Sequence, residues 1–501
     1  MLTPIKMPPG VFKNGTEYDQ KGRWNNADQV RWYQGELQPT GGWTRVAVDP
    51  LTGKPSTIFS WRDNDGDNYF AIGTHRKLYY YSDGSINDIT PTALIEGYAK
   101  TEPGAGFGAG PFDEEEYDTA RTSTSLSFQA TTWSMAAFGE ILLASSTSDG
   151  NLYYWNPATI PTQTQAALIS SAPTSLKSIL VSAERHVFAF GADGDPRKIA
   201  FSDREDFSTW TTAADNLAGD LLLDSPGDIV CGRKIRSQIL VWTTDDLHTI
   251  NYLGAPLVYG VQKAGDACGI AGPNAVAATL DFAVWMGANG FFIYDGYVKP
   301  LACDVHDYVF GDMNTFQRGQ VTAAVNSQFN EVWFFYPSSN SDYNDRYVIY
   351  NYRENHWSIG NLARSAWSDS GVLDYPLAAD QDGYLYQHEQ GFTNAGRSRV
   401  GDIFAETGPI DVADGDRNLV VTQLVPSGCP NVPTCTQVKF ELQQAPHAPA
   451  TVVGPFTFGR ADGTADARFQ AKQLQLRVEA TSDAPFRFGT LRLDARPGGR
   501  R

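Results

Sequence analysis

The side chains able to do chemistry are few and dispersed. Seven histidines, His75, His186, His248, His306, His356, His388 and His447, are scattered over 501 residues. One of them sits at metal-like spacing, in Cys303-Asp304-Val305-His306. Structural zinc takes four ligands and no second Cys/His pair accompanies this one, so the sequence predicts no metal. Asp63-Asn64-Asp65-Gly66-Asp67 begins like a calcium loop. Its sixth position is Asn68 where glycine is needed for the turn, and its twelfth is Thr74 where a bidentate glutamate belongs. A hairpin turn is the expectation there.

Nucleotide and hydrolase signatures are absent. Gly53-Lys54 is followed by Pro55 and lacks the upstream glycine of a phosphate-binding loop, and neither H-E-x-x-H nor G-x-S-x-G occurs. Ser202-Asp203-Arg204-Glu205-Asp206-Phe207-Ser208-Thr209-Trp210 approaches the S-x-D-x-G-x-T-W box of sialidases, but it lacks the glycine and the spacing and does not repeat. A carboxylate pair suited to glycoside hydrolysis is set by tertiary structure and leaves no spacing to read. The expectation is a chain that is not an enzyme and carries no cofactor.

Charge narrows the partners. The formal net charge of -18 argues against general binding to phosphate backbones, which needs clustered Lys and Arg. An acidic wall past which DNA slides without sticking is compatible with it. Two local charge features stand out as partner contacts. One is the acidic run Asp113, Glu114, Glu115, Glu116 in a Gly-rich stretch; its alternative is a solvated insertion. The other is the basic end with Arg496, Arg500 and Arg501; its alternative is a frayed terminus. Five cysteines, Cys231, Cys268, Cys303, Cys429 and Cys435, are too sparse and odd in number for a disulfide scaffold. Cys429 and Cys435 either close a small ring or stand as free thiols in a turn. No stretch reaches transmembrane length, and the N-terminus lacks an apolar signal core, so synthesis in a reducing cytoplasm is expected.

The elements that position these residues read as strands. Glycine (47) and proline (28) are abundant, aromatics make up 12% of the chain, and long helical patterns are scarce. Val321–Gly360 holds runs at Val321–Val325, Val332–Tyr336 and Tyr347–Tyr352 and a shorter one at Trp357, separated by polar turns. This is a four-stranded antiparallel meander of about 40 residues, the size of one propeller blade. The same grammar returns from Ile58 onward, with turn-plus-aromatic strands such as Asn151-Leu152-Tyr153-Tyr154-Trp155 and Gly290-Phe291-Phe292-Ile293-Tyr294. Trp210 is expected to end the third unit. The predicted fold is all-β: a β-propeller of about six or seven blades over residues 49–391, with an insertion at 97–127. Residues 1–48 form an extended N-terminal arm, in which adjacent Arg and Trp suggest guanidinium stacked on indole or an arm along the edge of the first sheet. Residues 392–501 form a C-terminal β-sandwich-like domain.

Three places resemble one family. The opening, Gly10-Val11-Phe12 through Asn14-Gly15-Thr16-Glu17-Tyr18 and Gly22-Arg23-Trp24 to Val30-Arg31-Trp32 and Gly42-Trp43, resembles the start of tail proteins of short-tailed bacteriophages. Ile199-Ala200-Phe201-Ser202-Asp203 with Trp210, and Arg346-Tyr347-Val348-Ile349-Tyr350 with Asn355-His356-Trp357, resemble their mid-chain blades. Leu491 to Arg501 resembles their C-terminus. The family is that of the tail hub or nozzle, also called packaged-DNA stabilisation, proteins. The resemblance implies a structural virion protein in the tail: a homo-hexamer ringing a channel below the portal and head-to-tail adaptor. Such a ring retains packaged double-stranded DNA, conducts it out at ejection, and docks tailspikes, fibres or a needle. Six copies at -18 each carry -108 formal charges, which disfavours trapping DNA by ion pairing. The alternative reading is a propeller-type glycan-binding or glycan-degrading tail protein. The segment 97–127 and the Cys429–Cys435 loop have no counterpart in the resemblance.

Overall fold

A computed structural model describes residues 2–16, 18–104, 127–160, 162–236, 238–411, 417–426, 435–444, 448–458 and 463–499. The chain is nearly all β, as expected. Among the described residues the one α-helix is His306–Asp312, and no helix is long and apolar enough to cross a membrane.

Seven four-stranded antiparallel sheets follow one another along the chain. The first runs Pro55–Arg62, Asn68–Thr74, Leu78–Ser82 and Ser85–Asp88; the second opens at Trp133–Phe138, the third at Ser178–Val181, the fourth at Ile229–Ile235 and the fifth at Val276–Ala278. The sixth comprises Thr322–Asn326, Glu331–Tyr336, Arg346–Asn351 and His356–Asn361, matching the meander read from Val321–Gly360. The seventh takes Ala366–Ser368, Leu377–Ala379 and Leu385–His388 from its own stretch and its fourth strand, Trp43–Arg45, from the N-terminal segment. Trp210 does not end the third sheet; Gly219–Leu222 does, and Trp210 lies in the loop before it, its indole N–H donating to Phe207 O.

The first strands of these sheets touch one another in an unbroken cycle, the seventh meeting the first. Period-two alternation explains how each sheet fills both its faces. In Val187–Phe190 of the third sheet, Val187 and Ala189 pack towards the second sheet, with Leu143 and Leu152. Phe188 and Phe190 pack towards the fourth, with Ile239 and Val241. Burial on both faces is why these strands are apolar at nearly every position. Approach between sheets is close: a Cβ on Gly232 would stand 2.4 Å from the Phe190 ring.

Apart from two two-stranded pairs, Val30–Tyr33 with Glu36–Pro39 and Glu102–Pro103 with Ser127–Phe128, the remaining strands form two antiparallel sheets shared between the chain ends. One orders Leu2–Ile5, Leu491–Pro497, Leu419–Pro426 and Ala465–Ala471. The other joins Trp24–Asp28 to Phe404–Thr407, Gln473–Ala480, Thr436–Gln443 and Thr451–Thr457. Phe469 of the first lies with its ring centroid 4.9 Å from Phe440 and 6.1 Å from Phe456 of the second, so the two sheets share a core. The N-terminal segment does not run along the first sheet. Leu2–Ile5 and Trp24–Asp28 belong to these two sheets, Trp43–Arg45 to the seventh, and Val30–Tyr33 and Glu36–Pro39 form a hairpin of their own.

Candidate functional site

The cycle of first strands surrounds a cavity of about 480 Å³. Side-chain hydroxyls, guanidinium and amides stitch its rim. Thr57 Oγ1 donates to Trp133 O (2.8 Å), joining sheets one and two. Ser134 Oγ donates to Ile179 O (3.0 Å) and accepts from Ile179 N (2.9 Å), joining two and three. Arg233 Nη2 donates to Pro273 O (2.9 Å), joining the fourth sheet to the approach of the fifth. Ala323 N donates to Asn274 O (2.7 Å), Thr322 Oγ1 to Ser365 O (3.1 Å), and Ser368 Oγ to Ser60 Oγ (3.1 Å), which returns the chain of contacts to the first sheet. One side chain does not follow the rim. Asn274 Nδ2 donates to Ser56 O at 2.8 Å, linking the fifth sheet directly to the first.

At the end where these strands begin lies a larger cavity of about 900 Å³. Tyr98 and Phe128 stack there with centroids 5.0 Å apart, and Phe316, Lys177, Asp228 and Arg318 line it as well. Glu102–Pro103 pairs with Ser127–Phe128, bringing together the two described ends of the 97–127 segment. A buried amide network clamps this stem. Thr101 N donates to Gln317 Oε1 (2.9 Å), Gln317 Nε2 donates back to Thr101 O (2.8 Å), and Gln320 Nε2 donates to Asp342 O (2.8 Å). Lys54 sits beneath, its Nζ donating to Ala99 O (2.9 Å) and to Gln320 Oε1. No carboxylate among the described residues pairs with it, and burial lowers its ammonium to about 7.

A second buried polar cluster joins the N-terminal segment to sheets six and seven. Arg31, 1% exposed, comes from the hairpin of Val30–Tyr33 and Glu36–Pro39. Its guanidinium meets Glu389 through Nη1 (3.0 Å) and Nη2 (2.6 Å), and its Nε lies 2.9 Å from Glu331 Oε1. Burial, with Glu389 nearby, raises the Glu331 carboxyl to about 7 despite Arg31. Trp43 packs against His388 (5.3 Å) and beneath the guanidinium groups of Arg399 (4.8 Å) and Arg364 (5.2 Å). Arg399 donates to Gln29 Oε1, Thr40 O and Gly41 O, so a residue on the way to the C-terminal sheets holds both ends of the hairpin. Arg364 Nε donates to His388 Nε2 at 2.8 Å, which requires a neutral imidazole there. Burial and the neighbouring arginines hold His388 well below its ordinary value. The expected stacking of adjacent Arg and Trp does not occur: Arg23 lies over Phe12 (5.1 Å) and Arg31 over Phe329 (3.8 Å), because neighbours on a strand face opposite ways, and Trp43 receives its arginines from elsewhere.

The residues singled out from the sequence do not converge. Asp113, Glu114, Glu115, Glu116, Cys429, Arg500 and Arg501 lie outside the described residues. Arg496 is exposed on Leu491–Pro497, in register with Val420, and shares an outward face with Arg492. Cys435 is buried. His306 opens the short helix, its ring nitrogens facing Asp307 Oδ1 (3.2 Å) and Asn289 O (3.0 Å), while burial pushes the Cys303 thiol up. Among the described residues no three His, Cys, Asp or Glu groups gather as metal ligands. Asp63–Asp67 is the turn between the first two strands of the first sheet, with Asp67 N donating to Asp63 Oδ1 (2.8 Å). The sequence reading missed Asn274, Lys54, Glu331 and Glu389; a buried lysine or glutamate carries no local signal.

No family model matches the chain, and no curated protein matches it.

Proposed function

We propose that the seven cycling sheets are the blades of a seven-bladed β-propeller, closed by the N-terminal strand Trp43–Arg45, with the two shared sheets as an appended β-sandwich. On this reading the chain is a non-enzymatic structural protein of a short-tailed phage virion, a tail hub or nozzle. Six copies ring a channel below the head-to-tail adaptor, retain the packaged DNA and conduct it at ejection. The observation that carries this reading is the crossbar: Asn274 reaches Ser56 across the ring, and the cavity it spans is about 480 Å³. A duplex with grooves of about 12 and 6 Å cannot pass there. A conduit for DNA must then lie between copies, as heterologous contacts around a cyclic ring allow. The sequence resemblance at both ends and in the middle of the chain supports the same assignment. The interlocked N-terminal segment suits a block that bears load.

The test is to mix the purified chain with adaptor–portal particles and image the product. Six-fold density below the adaptor is expected; particles that end at the adaptor reject the assignment. A second reading, glycan binding, is favoured by one feature, the cavity with Tyr98, Phe128 and Phe316, since sugars stack on aromatic faces. Screening against host surface polysaccharide separates the two, because a hub neither cleaves it nor binds it saturably.

A further inference from the structure

The central cavity has a charge character opposite to that of the whole chain. Against a net charge of -18, none of the described residues that line it is Asp or Glu, and two are cations, Arg233 and Lys234. Arg233 is half-buried. Its guanidinium donates to Gly232 O (2.9 Å), Pro273 O (2.9 Å) and Asn274 Oδ1 (3.4 Å), all of them neutral acceptors. A partly desolvated charge without a counter-charge is costly. Among the described residues no carboxylate is paired with it. Arg31 has two glutamates within 3.0 Å, whereas Arg399 and Arg364, like Arg233, meet neutral acceptors but lie away from this cavity. What sets Arg233 apart is that its guanidinium lines a cavity in which no described residue is acidic.

We propose that the central cavity is a binding site for a small oxyanion, phosphate- or carboxylate-bearing, drawn in by Arg233 and Lys234. Asn274 holds the guanidinium in place from one side and bars the cavity on the other, so the site admits a compact ion and no polymer. The N–H groups of Arg233 that take no protein acceptor among the described residues are the donors, and charge-assisted bonds of this kind are the strong ones. The walls add hydroxyls at Thr57 and Ser134, whose protons are committed to carbonyls and which serve as packing. This inference does not depend on the tail assignment; a free-standing propeller would bind the ion equally.

Calorimetry of the full chain with inorganic phosphate and with citrate, at fixed ionic strength, tests it. Saturable binding of at least one is expected. Arg233→Gln, which keeps an amide donor for Pro273 O, is expected to weaken it about 10-fold or more, and Lys234→Gln, at an exposed position, about 3-fold. Citrate binding without phosphate binding would assign a carboxylate ligand, and the reverse a phosphate; either supports the site. Absence of saturable binding to both overturns it, as does a Lys234→Gln chain that binds as tightly as the parent. The lysine variant keeps the test decisive if loss of Arg233 prevents folding.

Discussion

The side-chain amide of Asn274 donates to the main-chain carbonyl of Ser56 at 2.8 Å, across 218 residues of sequence. Asn274 precedes the first strand of the fifth sheet, and Ser56 lies in the first strand of the first. The same residue accepts from Arg233 of the fourth sheet through its side chain and from Ala323 of the sixth through its main chain. One asparagine thus ties four of the seven sheets. The bond to Ser56 can form only when the cycle has closed, since no local segment brings the two together.

Replacing Asn274 by alanine leaves the Ser56 carbonyl without this donor and Arg233 without one of its acceptors. The expected cost is about 1–3 kcal/mol, read as a lower urea midpoint with unchanged slope. An unchanged midpoint would mean that water replaces the amide without loss and that the crossbar does not hold the ring.

Arg31 is the anchor of the N-terminal segment. Its removal strands Glu331 and Glu389 in a buried site, where Glu331 already rises to about 7. Arg31→Met is therefore expected to cost about 3–5 kcal/mol, the price of an unpaired buried charge. Combining it with Glu331→Gln should recover part of that loss, because one stranded carboxyl is neutralised. Urea titration of the two variants decides: a double variant no more stable than Arg31→Met alone refutes the account.

What could be read beforehand follows from where the information sits. The strands Glu331–Tyr336 and Arg346–Asn351 are apolar on both faces, so the runs Val332–Tyr336 and Tyr347–Tyr352 announce them and polar turns bound them. Outermost strands are harder. Ser85–Asp88 and Gly219–Leu222 have partly exposed faces and carry too few apolar side chains to stand out. The fourth strand of the seventh sheet is supplied by Trp43–Arg45, and a pairing with His388 from so far upstream leaves no local pattern. The Arg–Trp repeats of the first residues marked Arg31 and Trp43 as anchors. They did not give the partners, because Phe329, Arg364 and Arg399 are brought there by tertiary packing alone. Asn274 reads as the start of the run Asn274–Thr279, the first strand of the fifth unit; the strand begins at Val276, and Asn274 is used as a strut before it.

Lys54 offers a pH signature. Burial lowers its ammonium from 10.5 to about 7. Between those values the unfolded chain holds the proton and the folded chain does not, so stability rises with pH across this window. Below about pH 7 both states are protonated and the penalty of burying the charge is constant; above 10.5 neither is, and the penalty has vanished. The slope from this one group approaches 1.4 kcal/mol per pH unit at most, about a tenfold change in the folding constant. Lys54→Met removes the titration and also the bonds to Ala99 O and Gln320 Oε1, so the comparison must be made as a difference between chains over a pH series. Relative to the variant, the parent should gain stability steadily from pH 7 to 10 in urea melts. Because Lys54 lies under the stem of the 97–127 segment, the protection of the Lys100 and Thr101 amides, taken relative to their base-catalysed intrinsic exchange, should increase over the same range in the parent and stay level in the variant. A stability difference that does not move with pH would show that the lysine keeps its proton inside the fold, with the clamp at the cavity mouth indifferent to its charge.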